Sequence, residues 1–185
     1  MNIYGKRVIL RAMELSDCPM IREMFNDREL EDLVVGWAFP VSEYAQEQWF
    51  AQHYKDQTDF RFVIETAEDG AVGVATLTNL DWKNRHATHG IKLAKKENRT
   101  KGIGTDSVMA IMRYAFDELG LNRLDSSWFA ENVASRSMYI KCGWVEEGIK
   151  RQYIYKHGVY RDLITVGILA TEYHDLVKRT NYWKV

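Results

Sequence analysis

The spacing of apolar residues divides the chain into segments of alternating type and segments of helical type. In the first half, alternation predicts four strands, the second and third joined as a hairpin, at residues 7–11, 61–66, 71–80 and 86–93. The pair Ser16-Asp17 can cap a helix that ends near Asn26, and Ser42 can cap a second helix that ends near Gln57. The stretch 29–39 mixes acids with large apolar residues and is expected to be irregular.

The clearest helix in the chain precedes Gly120, which ends it. Its apolar residues follow the spacing of one buried helix face, at Val108, Ile111, Met112, Ala115, Phe116 and Leu119. Beyond it the pattern predicts a strand, a short helix, a closing hairpin and a terminal helix, at residues 123–129, 133–141, 144–155 with 159–169, and 170–178. The order β-α-α-β-β-β-α-β-α-β-β predicts a mixed α/β sandwich rather than a doubly wound sheet.

Composition excludes several functional classes. The 185 residues fit one domain, 1–185, which can bury a core without disulfides or metals. With 25 basic and 26 acidic residues the net charge is −1, which argues against direct nucleic-acid binding. No apolar run reaches the roughly 18–20 residues of a membrane span, and no signal peptide is expected. Cys18 and Cys142 are expected to be buried thiols outside any metal site, which favours a cytoplasmic protein.

The loop Arg99-Thr100-Lys101-Gly102-Ile103-Gly104 lies between a predicted strand and the clearest helix. A helix start leaves backbone N–H groups unpaired at the positive end of the helix dipole, which suits a phosphate. Gly102 and Gly104 allow close approach of the backbone, and Arg99 and Lys101 add charge unless they are only solvated surface residues. The loop lacks the ending of an ATP-binding P-loop and the third glycine of a dinucleotide fold. It predicts a pyrophosphate site, although a loop that only needs positive φ at glycine would share this sequence.

Three motifs in order resemble the GNAT superfamily of N-acetyltransferases. Arg99-xx-Gly102-x-Gly104 matches the acyl-CoA loop of that family. Asn132-xx-Ser135-xxx-Tyr139-x-Lys141-x-Gly143-Trp144 matches its NxxSxxxYxKxGF segment, with tryptophan in place of phenylalanine. Val145-Glu146-Glu147-Gly148, followed by Gly158-x-Tyr160-x-Asp162, is similar to the ending of the RimJ/RimL-type branch, which acetylates ribosomal-protein N-termini, and of polyamine and aminoglycoside acetyltransferases. The resemblance covers nearly the whole chain and implies a mostly antiparallel central sheet flanked by helices.

The resemblance implies an acetyl-CoA-dependent N-acetyltransferase in which the amine attacks the acetyl carbonyl directly in a ternary complex, without a metal. In the family, the strand before the loop binds the pantetheine arm through its backbone, which here assigns Ile91, Lys92 and Leu93. The loop and helix start would bind the pyrophosphate through Arg99, Thr100, Lys101, Gly102, Ile103, Gly104 and Thr105.

Two residues of the second motif carry further expectations. Asn132 would contact the cofactor arm or only cap the following helix. Tyr139 matches the tyrosine that the family places near the thioester sulfur, where a phenol can hydrogen-bond or protonate the leaving thiolate. A tyrosine on a short helix is otherwise a core residue. Cys142 occupies a variable position of the motif and is not expected to act as a nucleophile.

The glutamate that related enzymes use as a general base has no counterpart here. Thr88 and Ser127 occupy the comparable positions in two strands, and His89 is a substitute candidate because its reference pKa near 6.5 suits a base. A half-buried structural histidine is an equally good interpretation. At pH 7 a lysine-type amine needs about 4–5 kcal/mol for deprotonation, whereas an α-amine needs about 1–1.5 kcal/mol. A site without a strong base therefore favours peptide N-termini or other low-pKa amines.

The acceptor stays open between a protein N-terminal amine and a small molecule such as a polyamine, an aminoglycoside or an amino sugar. A non-catalytic acyl-CoA-binding domain is a third interpretation, since the glutamate is missing. Three acids in the stretch 29–39 either attract a cationic amine or are only solvated residues of a loop: Glu29, Glu31 and Asp32. Three aromatic residues either wall an acceptor pocket or simply pack: Trp37, Phe39 and Trp82. Related proteins are often homodimers, so a homodimer is an expectation for this chain.

Overall fold

The computed structural model describes residues 1–36, 39–53, 58–99 and 101–184. One eight-stranded sheet has the order β1-β2-β3-β4-β5-β6-β8-β7, with strands Ile3–Tyr4, Val8–Ala12, Phe60–Thr66, Gly70–Asp81, His86–Leu93, Arg123–Phe129, Val145–Lys156 and Val159–Leu169 for β1 to β8. The α-helices of these residues, α1 to α6, are Cys18–Asn26, Arg28–Leu33, Glu43–His53, Ile103–Arg113, Val133–Lys141 and Ala170–Thr180. The predicted mixed, mostly antiparallel sheet flanked by helices is confirmed.

The stretch 29–39 departs from the irregular structure expected for it. It contains most of α2, which Asp27 caps by accepting the backbone N–H of Leu30 at 3.0 Å. Leu30 is buried, so this short helix is stabilised in part by its cap and in part by burial of an apolar side chain. A second difference is the short strand β1, which was not predicted.

The helix α3 begins where expected, since the hydroxyl of Ser42 accepts the backbone N–H of Ala45 at 3.1 Å. It ends at His53 within the described residues, and the predicted end near Gln57 lies outside them. Ala45 is exposed, whereas Gln46 is buried and Trp49 and Phe50 are partly buried against the core. The face of α3 that packs against the core therefore includes Gln46, Trp49 and Phe50.

The pairing of β5 with β6 is the one parallel ladder in the described sheet, and it is short. It joins His86 to Arg123, Ala87 to Leu124 and Thr88 to Asp125. Beyond these positions β5 continues to Leu93, while β6 continues to Phe129 paired only with β8. The sheet therefore splits along one line, which begins after Thr88.

Helix α4 packs against the sheet through the most apolar face of the helix. Val108, Met109, Ile111 and Met112 are at most 1% exposed. Burial of each such side chain contributes about 1.5–3 kcal/mol relative to exposure. After Arg113 the helix continues as a π-helical turn, Tyr114–Glu118. This packing fixes the first turn of α4 beside the end of β5.

Both cysteines are buried and neither forms a disulfide. Across the described ranges, no group of three or more His, Cys, Asp or Glu side chains is arranged to hold a metal ion. A helix with the length and apolarity needed to cross a bilayer was also not found in this part of the chain.

Candidate active site

A cleft of about 430 Å³ lies where β5 and β6 diverge. One wall is the end of β5, where the predicted residues Ile91, Lys92 and Leu93 all contribute. A second wall is the start of α4. A third wall is formed by α2 and the residue after it, through Leu30, Leu33 and Val34. The last wall is formed by α5 and its N-cap, through Asn132, Ala134, Ser135, Ser137, Met138 and Lys141. The split in the sheet thus opens into a cavity that the predicted strand and loop border together.

The start of α4 has the geometry expected of an anion site. Gly102 precedes the helix with φ of 79°, a left-handed conformation that glycine adopts readily. Gly104 faces Met138 so closely that a Cβ would lie 2.8 Å from its sulfur. Gly102, Gly104, Thr105 and Arg99 all line the cleft. Backbone N–H groups of a first helical turn lack intrahelical acceptors, so they can bind a phosphate here.

Two predicted loop residues, Lys101 and Ile103, do not place a side chain in the cleft. Lys101 pairs with Asp69, with Nζ 3.0 Å from Oδ2, and its carbonyl accepts a hydrogen bond from the Arg7 guanidinium at 3.1 Å. Ile103 is 4% exposed and belongs to the hydrophobic core. Thr100 lies outside the described residues. Lys101 and Ile103 can therefore contact a phosphate only through their backbone groups.

Lys92 places an ammonium group on the β5 wall, and the pKa of this group is lowered. Burial and, to a smaller extent, the nearby charge of Arg61 lower the pKa of its ammonium to about 8. Leu93 is 9% exposed, and Ile91 packs against the core while it also borders the cleft. This wall is therefore mainly apolar side chain and strand backbone.

Asn132 has the capping role that its sequence position allowed. Its side-chain oxygen accepts the backbone N–H of Ser135 at 3.0 Å, and its amide donates to the carbonyl of Leu33 at 3.3 Å. It also borders the cleft. The amide thus joins α5 to α2. Neither this contact nor the position of Leu30 in the cleft was predicted from the sequence. The i, i+3 spacing of Leu30 and Leu33 was the available signal.

Tyr139 lies behind the cleft rather than on its wall. It is 3% exposed, and its ring stacks on Trp128 at a centroid distance of 5.4 Å and meets Trp144 edge-on at 4.9 Å. Its hydroxyl lies 3.1 Å from the Oγ of Ser126. Burial raises the pKa of this phenol above its usual range. The hydroxyl lies at the apex of the split, because Ser126 is the first residue of β6 after the ladder ends.

None of the candidate bases is placed as a base. His89 is 2% exposed, with Nδ1 3.0 Å from the carbonyl oxygen of Thr76, so Nδ1 carries the hydrogen. Burial lowers the pKa of His89 to about 4, which makes it a core residue rather than a proton acceptor at neutral pH. Thr88 and Ser127 carry only hydroxyl groups, and among the described residues that line the cleft none is an acid.

The acids of the stretch 29–39 are engaged in ion pairs instead of facing the cleft. Glu31 lies 2.8 Å from the ammonium of Lys156, and Asp32 lies 2.8 Å from the guanidinium of Arg161. The imidazole of His157 is 3.1 Å from Glu31. These contacts fasten α2 to the β7–β8 hairpin. Glu29 is largely exposed, with its carboxylate 3.9 Å from Lys96.

Of the aromatic residues considered for an acceptor pocket, Phe39 and Trp82 neither wall the cleft nor pack in the core. Phe39 is 84% exposed and Trp82 is 51% exposed. Trp37 lies outside the described residues. The buried Cys142 is also no nucleophile, because burial raises the pKa of its thiol to about 12.

Comparison with known proteins identifies this arrangement. A family model described as an acetyltransferase (GNAT) domain matches residues 7–145. A spermidine N(1)-acetyltransferase of Vibrio cholerae is 27% identical over 170 residues, covering 91% of this chain and 96% of that protein. A putative ribosomal N-acetyltransferase of Bacillus subtilis is 38% identical over 106 residues, 57% of each chain.

Among solved structures, the spermidine N-acetyltransferase from Vibrio cholerae in complex with CoA and spermine superposes with a TM-score of 0.84. Its sequence is 26% identical, and the match covers 92% of this chain and 99% of that one. The expected RimJ/RimL-type branch is not specifically supported, since the match to the putative ribosomal N-acetyltransferase covers little more than half of the chain.

Proposed function

The chain belongs to the GNAT family of acetyltransferases and is an acetyl-CoA-dependent N-acetyltransferase, and we propose that its acceptor is a primary amine of a small polyamine. The observation that carries the proposal is the cleft at the β5–β6 split beside the start of α4. The acceptor class is supported by spermidine acetyltransferases that align with about nine tenths of the chain.

The cleft residues fit the parts of acetyl-CoA. The first turn of α4 and the guanidinium of Arg99 suit the pyrophosphate. The end of β5, where the ladder to β6 has stopped, suits the amides of an extended pantetheine arm, because an extended chain can pair with a strand edge. Because Gly104 has no side chain, the space beside Met138 that a Cβ would fill remains open. The thioester end then faces the apex of the split.

The reaction needs a neutral amine and a stabilised leaving sulfur. The amine nitrogen bonds to the acetyl carbon, and the carbon–sulfur bond breaks with its electron pair on sulfur. The proton that nitrogen loses to water balances the proton that the thiolate takes up from water. The phenol of Tyr139 donates a hydrogen bond to the sulfur. Its reference pKa of about 10 exceeds the thiol's roughly 8.5, and burial raises it further, so it stabilises the thiolate without giving up its proton.

A second candidate acceptor is a protein N-terminal α-amine. The specific observation in its favour is the missing base: His89 is buried, and no acid lines the described cleft. An α-amine needs about 3 kcal/mol less than a polyamine amine to become neutral at pH 7. The similarity to a putative ribosomal N-acetyltransferase supports the same class over a shorter stretch.

Thiol release from acetyl-CoA distinguishes the two acceptors. Spermidine, spermine, an alanine-starting peptide and an aminoglycoside are compared at pH 7 and pH 9. We expect kcat/KM for spermidine or spermine to exceed that for the peptide at least about tenfold and to rise toward pH 9, since deprotonation limits an amine of pKa about 10. A higher kcat/KM for the peptide would replace the polyamine with the second candidate. No thiol release with any amine would overturn both.

A further inference from the structure

Ser126 bridges the point where the sheet splits. Its Oγ is 2.9 Å from the carbonyl oxygen of His89 and 3.1 Å from the hydroxyl of Tyr139. It follows Asp125, the last residue of β6 in the parallel ladder. The serine hydroxyl thus lies within hydrogen-bonding distance of both the β5 backbone and the phenol, at a position where the backbone ladder has ended. Ser126 is 8% exposed, so water cannot readily replace either hydrogen bond.

The serine has one hydrogen for two neighbours. A carbonyl oxygen only accepts, so when Ser126 donates to His89, Tyr139 must donate its own hydrogen to Ser126. In that arrangement the phenol hydrogen points to Ser126 and is not free for a ligand. When Ser126 instead donates to the phenol oxygen, the hydrogen of Tyr139 is released toward a second acceptor. The two arrangements differ only in the rotation of two hydroxyl groups.

The ring of Tyr139 cannot turn to choose between these acceptors. It is held between Trp128, stacked at 5.4 Å, and Trp144, edge-on at 4.9 Å. His89 packs edge-on from a third side at 5.8 Å. Because the ring is fixed, the direction of its O–H bond depends on the group that faces the oxygen. That group is Ser126.

We propose that Ser126 is a positioning residue, whose hydroxyl donates to the oxygen of Tyr139 and directs the phenol hydrogen toward the leaving sulfur. The inference rests on the proposed function, since it assigns a partner to Tyr139 in the same reaction. A serine hydrogen bond to the phenol oxygen makes the phenol a better donor, because adjacent hydrogen bonds polarise one another. Ser126 itself touches neither the amine nor the acetyl group.

The test is a double-mutant cycle of Ser126→Ala and Tyr139→Phe, read as kcat and KM for acetyl-CoA. We expect Ser126→Ala to lower kcat about tenfold with KM changed less than about twofold, since one hydrogen bond to the phenol is lost. In the Tyr139→Phe background the same substitution should change kcat less than about twofold. Ser126→Thr keeps the hydroxyl and should restore most of kcat. Thr165→Val is the matched control, because Thr165 is also a strand residue whose hydroxyl lies beside a carbonyl, donating to that of Gly148 at 3.2 Å.

Each outcome of these measurements bears on either the positioning role of Ser126 or the proposed function. An unchanged kcat in Ser126→Ala, or an equal loss in the Tyr139→Phe background, overturns the positioning role. Wild-type enzyme without thiol release on any amine overturns the proposed function instead, and so separates the two failures. If Ser126→Ala does not fold, Ser126→Cys, of similar size but a weak donor, replaces it in the cycle with the same expected and contradicting results.

Discussion

The carboxylate of Asp106 accepts the backbone N–H of Arg7 at 2.7 Å, which fastens the first turns of α4 to the β1–β2 turn. The same carboxylate accepts the N–H groups of Lys6 at 3.0 Å and Val8 at 3.1 Å and the hydroxyl of Tyr182 at 3.0 Å. It is 3% exposed. The helix start that is proposed to bind pyrophosphate is therefore held in place from outside the cleft.

Replacing Asp106 with alanine should destabilise the protein by about 3 kcal/mol, because it leaves buried N–H groups without acceptors. The free energy of unfolding in urea measures this. Asp117→Ala is the control, since Asp117 is 41% exposed and its only described ion pair is with the exposed His174. The control should change stability by less than about 1 kcal/mol. Equal losses in the two variants would contradict the anchoring role.

Gly102→Ala and Gly158→Ala form a matched pair that separates strain from binding. The two glycines have φ of 79° and 81°, and nothing lies within 4 Å of a Cβ at either position. Each substitution should cost about 1 kcal/mol of stability, because alanine disfavours positive φ. Only Gly102→Ala should raise KM for acetyl-CoA, about fivefold or more, because it alone alters the helix start. Similar KM values for both variants would remove the loop from the binding site.

Lys156 joins the hairpin to the α2 wall of the cleft. Its ammonium is 2.8 Å from the Glu31 carboxylate and 2.9 Å from the carbonyl of Val34, and the residue is 8% exposed. Lys156→Met should cost about 3 kcal/mol, because it leaves Glu31 with fewer compensating charges in a largely buried position. It should also raise KM for acetyl-CoA as α2 loosens. Lys150→Met, at an exposed position over the ring of Tyr153, should change neither quantity appreciably. A Lys156→Met variant as stable as Lys150→Met would show that the ion pair does not hold α2.

His89 should make stability depend on pH below neutrality. Its folded pKa, about 4, lies below the unfolded value of 6.5, so as pH falls the unfolded chain takes up the proton first. The contribution is complete above about pH 6.5 and is lost toward pH 4, on the order of 3 kcal/mol. His89→Asn keeps a donor for Thr76 and cannot titrate. Urea unfolding across this range should show a steeper decline in the wild type, and parallel curves would contradict the assignment.

Much of the fold was predictable because its signals are local. The apolar spacing from Val108 to Leu119 identified α4, and alternation identified seven of the strands. The loop before α4 stood out because two glycines precede the strongest helix. Helix α2 was missed since six residues rich in acids carry too few apolar positions to show a period.

The remaining site features depend on contacts between distant positions. Glu31 and Lys156 lie 125 residues apart, so their ion pair could not be read from spacing. Ser126 appeared only as one of two adjacent serines in β6, and Ser127 was the one considered. Only the register of Thr88 with Asp125 places Ser126 at the split. Tyr139 was found through its motif, but its burial behind the cleft follows from the packing of Trp128 and Trp144.

A crystal structure with CoA bound tests the central claim most directly. We predict the pyrophosphate at the backbone of Gly102 and Gly104, the pantetheine arm along residues 91–93, and the sulfur within hydrogen-bonding distance of the Tyr139 hydroxyl. Electron density for CoA at another surface, or a sulfur separated from Tyr139 by intervening protein, would contradict the account.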